Sequence, residues 1–204
     1  IVVPVDGLAV KFRNLGKKVF VISDGIDNIK NIDPRLKDNK IRNILWHGHS
    51  SNVSSLLRVL NDDLVDYNFE LNIVSNPSSL EIIKKSRFSK KPIFKINFFP
   101  WSINNLERVA QNCDFAILPT NKQWASSNRL ITTFRLGLPI ISEKINSYND
   151  YSNYFSIFSK TNIKKMFDSP ESWHGYVRTA QTKIIKDFDH NNVLQKWIHC
   201  LSST

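Results

Sequence analysis

DFAILPTNKQWASSNRLITTFRLGLPIISEKINSY, residues 114–148, is the stretch whose reading decides the fold. Phe115, Ala116, Ile117 and Leu118 form an apolar run of strand length. After a polar loop, Ser126-Ser127-Asn128-Arg129 supplies capping residues ahead of Leu130, Ile131 and Phe134, which share one helix face. Gly137 ends that helix, and Pro139 opens a second strand where its missing N–H costs little. Strand, helix and parallel strand in succession leave free backbone N–H groups at the carboxyl end of a sheet. Such a place binds phosphate.

Working outward, β-rich runs recur at 1–5, 19–23, 43–46, 70–74, 92–98 and 139–142. Between them Val53, Leu56, Leu57, Leu60 and Leu64 follow helical spacing, as do Ile103, Leu106, Ala110 and Cys113. The alternation predicts an α/β fold: a Rossmann-like parallel sheet with helices on both faces. Trp173, Val177, Ala180, Ile184 and Phe188 mark one amphipathic helix, and Val193, Leu194, Trp197, Ile198 and Leu201 another, giving a helical carboxyl terminus that needs a surface to cover. Residues 1–24 read as strand, short helix at 9–15, and strand, followed by the polar segment 25–40 with Asp33-Pro34. Two readings stand level there: the tail of an upstream α/β domain plus a linker, or the first βαβ unit of a single domain.

At 204 residues with 41% hydrophobic and 11% aromatic side chains, the chain can bury a sizeable core. No apolar run approaches the roughly 20 residues of a membrane span. Cys113 and Cys200 lie in apolar helical patterns without a partner at metal-ligand spacing, as buried thiols of a reducing cytoplasm do. A net charge of +10 favours anionic partners: nucleic acid, acidic headgroups or phosphorylated small molecules. The basic residues come in scattered pairs such as Lys17-Lys18, Lys84-Lys85, Lys90-Lys91 and Lys164-Lys165, without interleaved aromatics, which argues against nucleic acid.

Chemistry-bearing residues gather after the strands. Behind Trp46 come His47, Gly48, His49, Ser50, Ser51 and Asn52. Gly48 would allow a tight turn, and the polar residues would either seat an anion on the next helix or only cap it. In the second loop Lys122 and Arg129 bracket Ser126, Ser127 and Asn128. Capping explains Ser127 but not the cations on both sides, whereas a diphosphate explains both. The third loop, Phe99, Pro100, Trp101 and Ser102, could line a base or sugar pocket or simply pack in the core. His47 and His49 alone do not make a metal site, which needs three or four ligands.

These residues resemble a family. ILWHG (44–48), NIVSN (72–76), FFPWSINNLERVAQNCDFAILPT (98–120), SSNRL (126–130) and GLPII (137–141) follow the order found in the carboxyl-terminal, donor-binding domain of GT-B-fold glycosyltransferases, closest to the bacterial group 1 type. Trp173, Gln181, Phe188 and Trp197 are similar to the way those enzymes end. The resemblance divides the chain into 1–40, the tail of a Rossmann-like acceptor domain plus linker, and 41–204, a nucleotide-sugar-binding domain. It implies a donor-phosphate site at Gly48, His49, Ser50, Lys122, Ser126, Ser127, Asn128 and Arg129, and a base or sugar pocket at Asn76, Phe99, Pro100, Trp101 and Ser102. It implies no cofactor and no metal, a nucleotide-sugar donor, and a glycan or lipid-linked acceptor in polysaccharide assembly. It also implies a cytoplasmic location, with peripheral association with an anionic membrane face. Thr132 and Trp124 stand where many members carry two glutamates, so no catalytic residue is assigned. The rival expectation is a Rossmann-like nucleotide- or anion-binding module that catalyses nothing.

Overall fold

All strands of the main sheet run parallel. The computed structural model describes residues 1–4, 6–22, 31–37, 41–87, 93–123, 125–188 and 190–203. Six strands, β3 (Arg42–Gly48), β4 (Phe69–Ser75), β5 (Lys95–Pro100), β6 (Phe115–Leu118), β7 (Ile140–Ser142) and β8 (Ser156–Ile157), pair in the order β5-β4-β3-β6-β7-β8. Within this sheet the chain enters in the middle at β3, builds outward to β5, then returns beside β3 and builds the other way. This is the doubly wound order, and its reversal between β3 and β6 opens a crevice at the carboxyl ends of those strands.

Alternation along the strands supplies two apolar faces. On one, Ile44, Trp46, Leu71, Ile73, Phe115, Ile117 and Ile141 pack with Val53, Leu56, Val59 and Leu60 of α2 (Val53–Asp62), Ile83 of α3 (Pro77–Lys85), and Ile163 and Met166 of α6 (Lys160–Asp168). On the other, Leu45, Val74 and Ala116 pack with Leu106, Val109 and Ala110 of α4 (Ile103–Ala110). Leu118 and Ile140 pack there with α5 (Asn128–Arg135) and α7 (His174–Asp187). The sheet is thus covered on both sides, as the alternating sequence requires. Ser102 and Ser159 start α4 and α6 by accepting the Asn105 and Asn162 N–H groups at 3.0 and 3.1 Å.

The expected strand at 92–98 starts three residues later and ends two later, at Lys95–Pro100; residues 88–92 fall outside the described ones. The amino-terminal residues form β1 (Val2–Val3), α1 (Asp6–Arg13) and β2 (Phe20–Val21), a two-stranded parallel sheet separate from the main one. The described part of the polar segment 25–40, residues 31–37, is strapped to the main body. Ile32 N–H donates to the Arg135 carbonyl at 2.8 Å, and Gln181 Nε2 donates to the carbonyls of Ile32 and Phe134 at 2.8 Å each. Gly137 makes this possible: its φ is +77°, and a Cβ there would sit 2.4 Å from the Ile32 oxygen. The last helix is α8 (His190–Ser202). Among the described residues no helix is long and apolar enough to cross a membrane.

Candidate functional site

A cavity of about 390 Å³ lies at the crevice where the strand order reverses. His47 and Gly48 end β3 and line it; His49 and Asn52 follow, Asn76 comes from the end of β4, and Trp101 from the end of β5. Asn128, Arg129 and Thr132 complete it from the first turns of α5, Thr132 lying four residues beyond Asn128 and three beyond Arg129 on the same helix face.

Arg129 is the organising side chain. Its Nε donates to the His47 carbonyl at 2.8 Å, and its guanidinium carbon lies 5.6 Å from the Trp46 ring centroid. Nη2 is buried and has no hydrogen-bond partner; of the three buried side-chain atoms left so among the described residues, it alone carries charge. Burial pulls the Arg129 pKa down, while Tyr148 and Glu143 hold it up. An arginine keeps its proton in any case, so the site holds a cation with one donor unspent.

Gly48 serves that cation. Rather than forming a tight turn, it is the last residue of β3, and a Cβ on it would lie 3.2 Å from Cζ and Nε of Arg129. The loop beyond is braced from β4 and α3: Asn76 Oδ1 accepts from Ser50 N–H at 2.9 Å and Ser79 hydroxyl at 3.1 Å, and the Ser75 hydroxyl donates to the Gly48 carbonyl. His49 caps the 3-10 turn Ser50–Asn52, its Nδ1 accepting from Ser51 N–H at 3.3 Å, a role that Ser51 and Asn52 do not take. His47 is 2% exposed, stacks on Trp101 with ring centroids 6.2 Å apart, and bonds Thr133 Oγ1 through Nε2 at 2.8 Å. Burial, and then the Arg129 charge, push its pKa from 6.5 down to about 3.

Of the residues singled out in the sequence, Gly48, His49, Asn76, Trp101, Asn128 and Arg129 line the cavity together. Lys122 is exposed beside them, its Nζ 3.4 Å from Ser51 Oγ. Ser50 braces the loop, Ser126 Oγ accepts from Asn128 N–H at 3.3 Å, and Ser127 precedes α5 without a side-chain cap bond. Phe99 packs with the α4 core under Arg108, the Pro100 carbonyl accepts from Asn105 Nδ2 at 2.8 Å, and Ser102 caps α4; none of these three lines the cavity. Three lining residues, His47, Asn52 and Thr132, were not assigned to the site from sequence. A polar residue closing the apolar run ILWH, and Thr132 three positions beyond Arg129, were the available signals. Trp124 falls outside the described residues.

The nearby acids have other work. Glu143 Oε2 accepts from Thr120 N–H at 2.7 Å and its Oε1 pairs with Arg58, tying down the loop after β6. Asp114 accepts from Asn43 N–H at 2.7 Å and faces Arg42 at 3.6 Å, at the amino end of the sheet. Among the described residues no group of three His, Cys, Asp or Glu could hold a metal ion.

No family model and no curated protein matches the sequence. Solved structures do match. HepE from Anabaena, in complex with UDP and glucose, superposes with a TM-score of 0.74 at 13% identity, over 100% of this chain and 62% of that one. Sucrose-phosphate synthase from Thermosynechococcus elongatus gives 0.73 at 10% identity, over 100% and 58%. The fold is of the GT-B glycosyltransferase type. A glycosyltransferase from Rickettsia africae superposes with a TM-score of 0.69 at 17% identity, over 98% of this chain and 62% of that one. The chain spans less than two thirds of the length of each of these structures.

Proposed function

We propose that this chain is the donor-binding half of a glycosyltransferase that holds a nucleotide-diphosphate sugar for transfer to a glycan or lipid-linked acceptor in polysaccharide assembly. One observation carries the reading: the buried, unspent Nη2 of Arg129 beside the first turn of α5, in a cavity at the strand-order reversal. A helix start and a guanidinium together suit a diphosphate. HepE, which shares the fold, was solved with UDP and with UDP-glucose.

In this reading the start of α5 and the Arg129 guanidinium hold the diphosphate, and Lys122 adds charge from the rim. The diphosphate leaves when the sugar is transferred, so the same donors stabilise charge that grows in the transition state. Residues 41–204 form the donor domain, and 1–40 the end of an acceptor domain with its connection. The protein works in the cytoplasm, its basic surface meeting the inner face of the membrane where the acceptor is lipid-linked. A second reading, nucleotide binding without catalysis, is favoured by one observation: Thr132, not a carboxylate, lines the cavity at the place where the resemblance calls for an acid.

The test is a thermal-shift screen of the chain against UDP, GDP, ADP, CMP and a DNA oligomer. One nucleoside diphosphate raises the melting temperature, and Arg129→Ala weakens that ligand roughly ten- to a hundredfold, the worth of a hydrogen bond to a charged group. Ser127→Ala, which removes a hydroxyl that makes no cap bond and so is left for the ligand, lowers the shift as well. Stabilisation by the oligomer alone defeats the proposal. Release of UDP from a UDP-sugar by the chain with its acceptor domain separates catalysis from binding alone.

A further inference from the structure

His47 carries a second feature of the cavity, and its hydrogen bonds fix where its proton sits. Thr133 Oγ1 donates its single proton to the Arg129 carbonyl at 2.7 Å, an i to i−4 bond within α5. The same oxygen lies 2.8 Å from His47 Nε2, so the imidazole is the donor there and Nε2 carries the hydrogen. Nδ1 is left with a bare lone pair. It has no partner among the described residues, it is not among the buried unpaired atoms, and its residue lines the cavity.

Two other side-chain acceptors of the cavity are already taken. Asn76 Oδ1 already receives Ser50 N–H and Ser79 hydroxyl, and His49 Nδ1 receives Ser51 N–H. No Asp or Glu lines the cavity among the described residues. A diphosphate cannot use Nδ1, because phosphate oxygens at neutral pH accept hydrogen bonds and do not donate them. Arg129 grips the carbonyl of His47 itself, so the imidazole and the phosphate-binding cation are neighbours. The groups flanking a diphosphate in a nucleotide sugar are the ribose and the transferred sugar, and both present hydroxyls.

We propose that Nδ1 of His47 is the acceptor by which this cavity reads a hydroxyl of the nucleotide sugar, held in register by Thr133 and by the stacked Trp101 ring. The proposal rests on the donor-site reading above. A neutral acceptor does this where a carboxylate would also draw on the Arg129 charge; the imidazole, kept unprotonated by burial, leaves that charge for the phosphates.

Titration calorimetry of the full chain with UDP, 2′-deoxy-UDP, 3′-deoxy-UDP and UDP-glucose tests it. His47→Leu weakens the probe bearing the recognised hydroxyl roughly three- to tenfold, the worth of one neutral hydrogen bond, and leaves the probe lacking that hydroxyl unchanged. The deoxy arms identify a ribose hydroxyl; a loss confined to UDP-glucose identifies the sugar. His47→Gln, which keeps an acceptor, restores part of the loss. Thr133→Val keeps the volume but frees the tautomer, and erases the same discrimination even if His47→Leu does not fold. In spectra of ¹⁵N-histidine-labelled chain, the unprotonated Nδ1 signal moves when the recognised probe is added. Equal weakening of every probe, or of none, overturns the proposal while leaving the donor site intact. If no nucleotide binds the unaltered chain, the donor-site reading falls and this one with it.

Discussion

At the scale of single residues, the site rests on an arginine that has more donors than partners and a glycine that leaves it room. Gly48→Ala puts a Cβ 3.2 Å from Cζ and Nε of Arg129, so the guanidinium must shift by a few tenths of an ångström. We expect the nucleotide dissociation constant to rise severalfold in calorimetry, and stability in urea to fall by about 1–3 kcal/mol as well, since φ at Gly48 is +159°, a conformation that alanine rarely adopts. Unaltered affinity would mean that Arg129 does not anchor the ligand. His47 makes a second prediction, about pH. Its folded pKa of about 3 lies below the 6.5 of an exposed histidine, so the unfolded chain takes up the proton first and stability falls as pH drops through that window. The loss approaches about 1.4 kcal/mol per pH unit. Glu143, whose pKa is raised chiefly by burial, works in the opposite direction, so His47→Gln and the unaltered chain are compared at each pH in urea. The acid-side slope becomes shallower in the variant; identical slopes would show that His47 does not stay neutral. Six of the cavity residues were legible in sequence because they follow strands or open a helix. His47 was not, because a histidine inside an apolar strand says nothing about its tautomer until Thr133 is seen beside it.

At the scale of elements, the βαβ alternation was readable because buried parallel strands are written as continuous apolar runs and their helices as one-sided stripes. The elements that escaped reading lack those signals. In α3 only Ser79 and Ile83 are buried, and β8 is two residues long. Pro77 at the start of α3 was the usable cue. The run at 92–98 was read as a strand with Phe99 in the loop beyond it, yet the strand takes in both Phe98 and Phe99, which divide between the two cores, and of that loop only Trp101 reaches the cavity. Gly137 was read as the end of α5, but its closeness to residue 32 is a long-range fact. Gly137→Ala must place a side chain at φ +77° and 2.4 Å from the Ile32 oxygen. The left-handed conformation alone costs about 1–2 kcal/mol, and the backbone clash adds to it. Urea unfolding should show a loss of at least about 2 kcal/mol, with UDP affinity retained because Gly137 lies beyond the opposite end of α5 from the cavity. A loss under about 0.5 kcal/mol would mean that the strap at 31–37 detaches without cost.

At the scale of the whole molecule, burial is unevenly distributed. Ile44, Leu45, Trp46, Leu71 and Ile73 of the main sheet are completely buried, whereas Leu194, Trp197, Ile198 and Leu201, one helical stripe on α8, are between 42% and 70% exposed. Ile1, Val2, Val10 and Leu15, from the amino-terminal unit, are exposed as well. Lone exposed apolar side chains are ordinary; a continuous stripe along one helix is not. The two regions touch: the Lys18 ammonium donates to the Ser203 carbonyl, and Phe20 meets His199 edge-on at 5.9 Å. Thus β1, α1 and β2, which α8 meets at those two contacts, make a unit around a sheet of only two short strands, too small to be stable alone. Its opening free energy must therefore lie below that of the main sheet. Hydrogen exchange read by mass spectrometry checks this: peptides from 1–22 and 190–203 should lose protection in low urea, well before those from 42–75. A melt followed by far-ultraviolet circular dichroism should then begin before one followed by nucleotide binding, because the cavity belongs to the main sheet and α5. Uniform protection along the chain, with coincident melts, would show instead that the two units unfold as one.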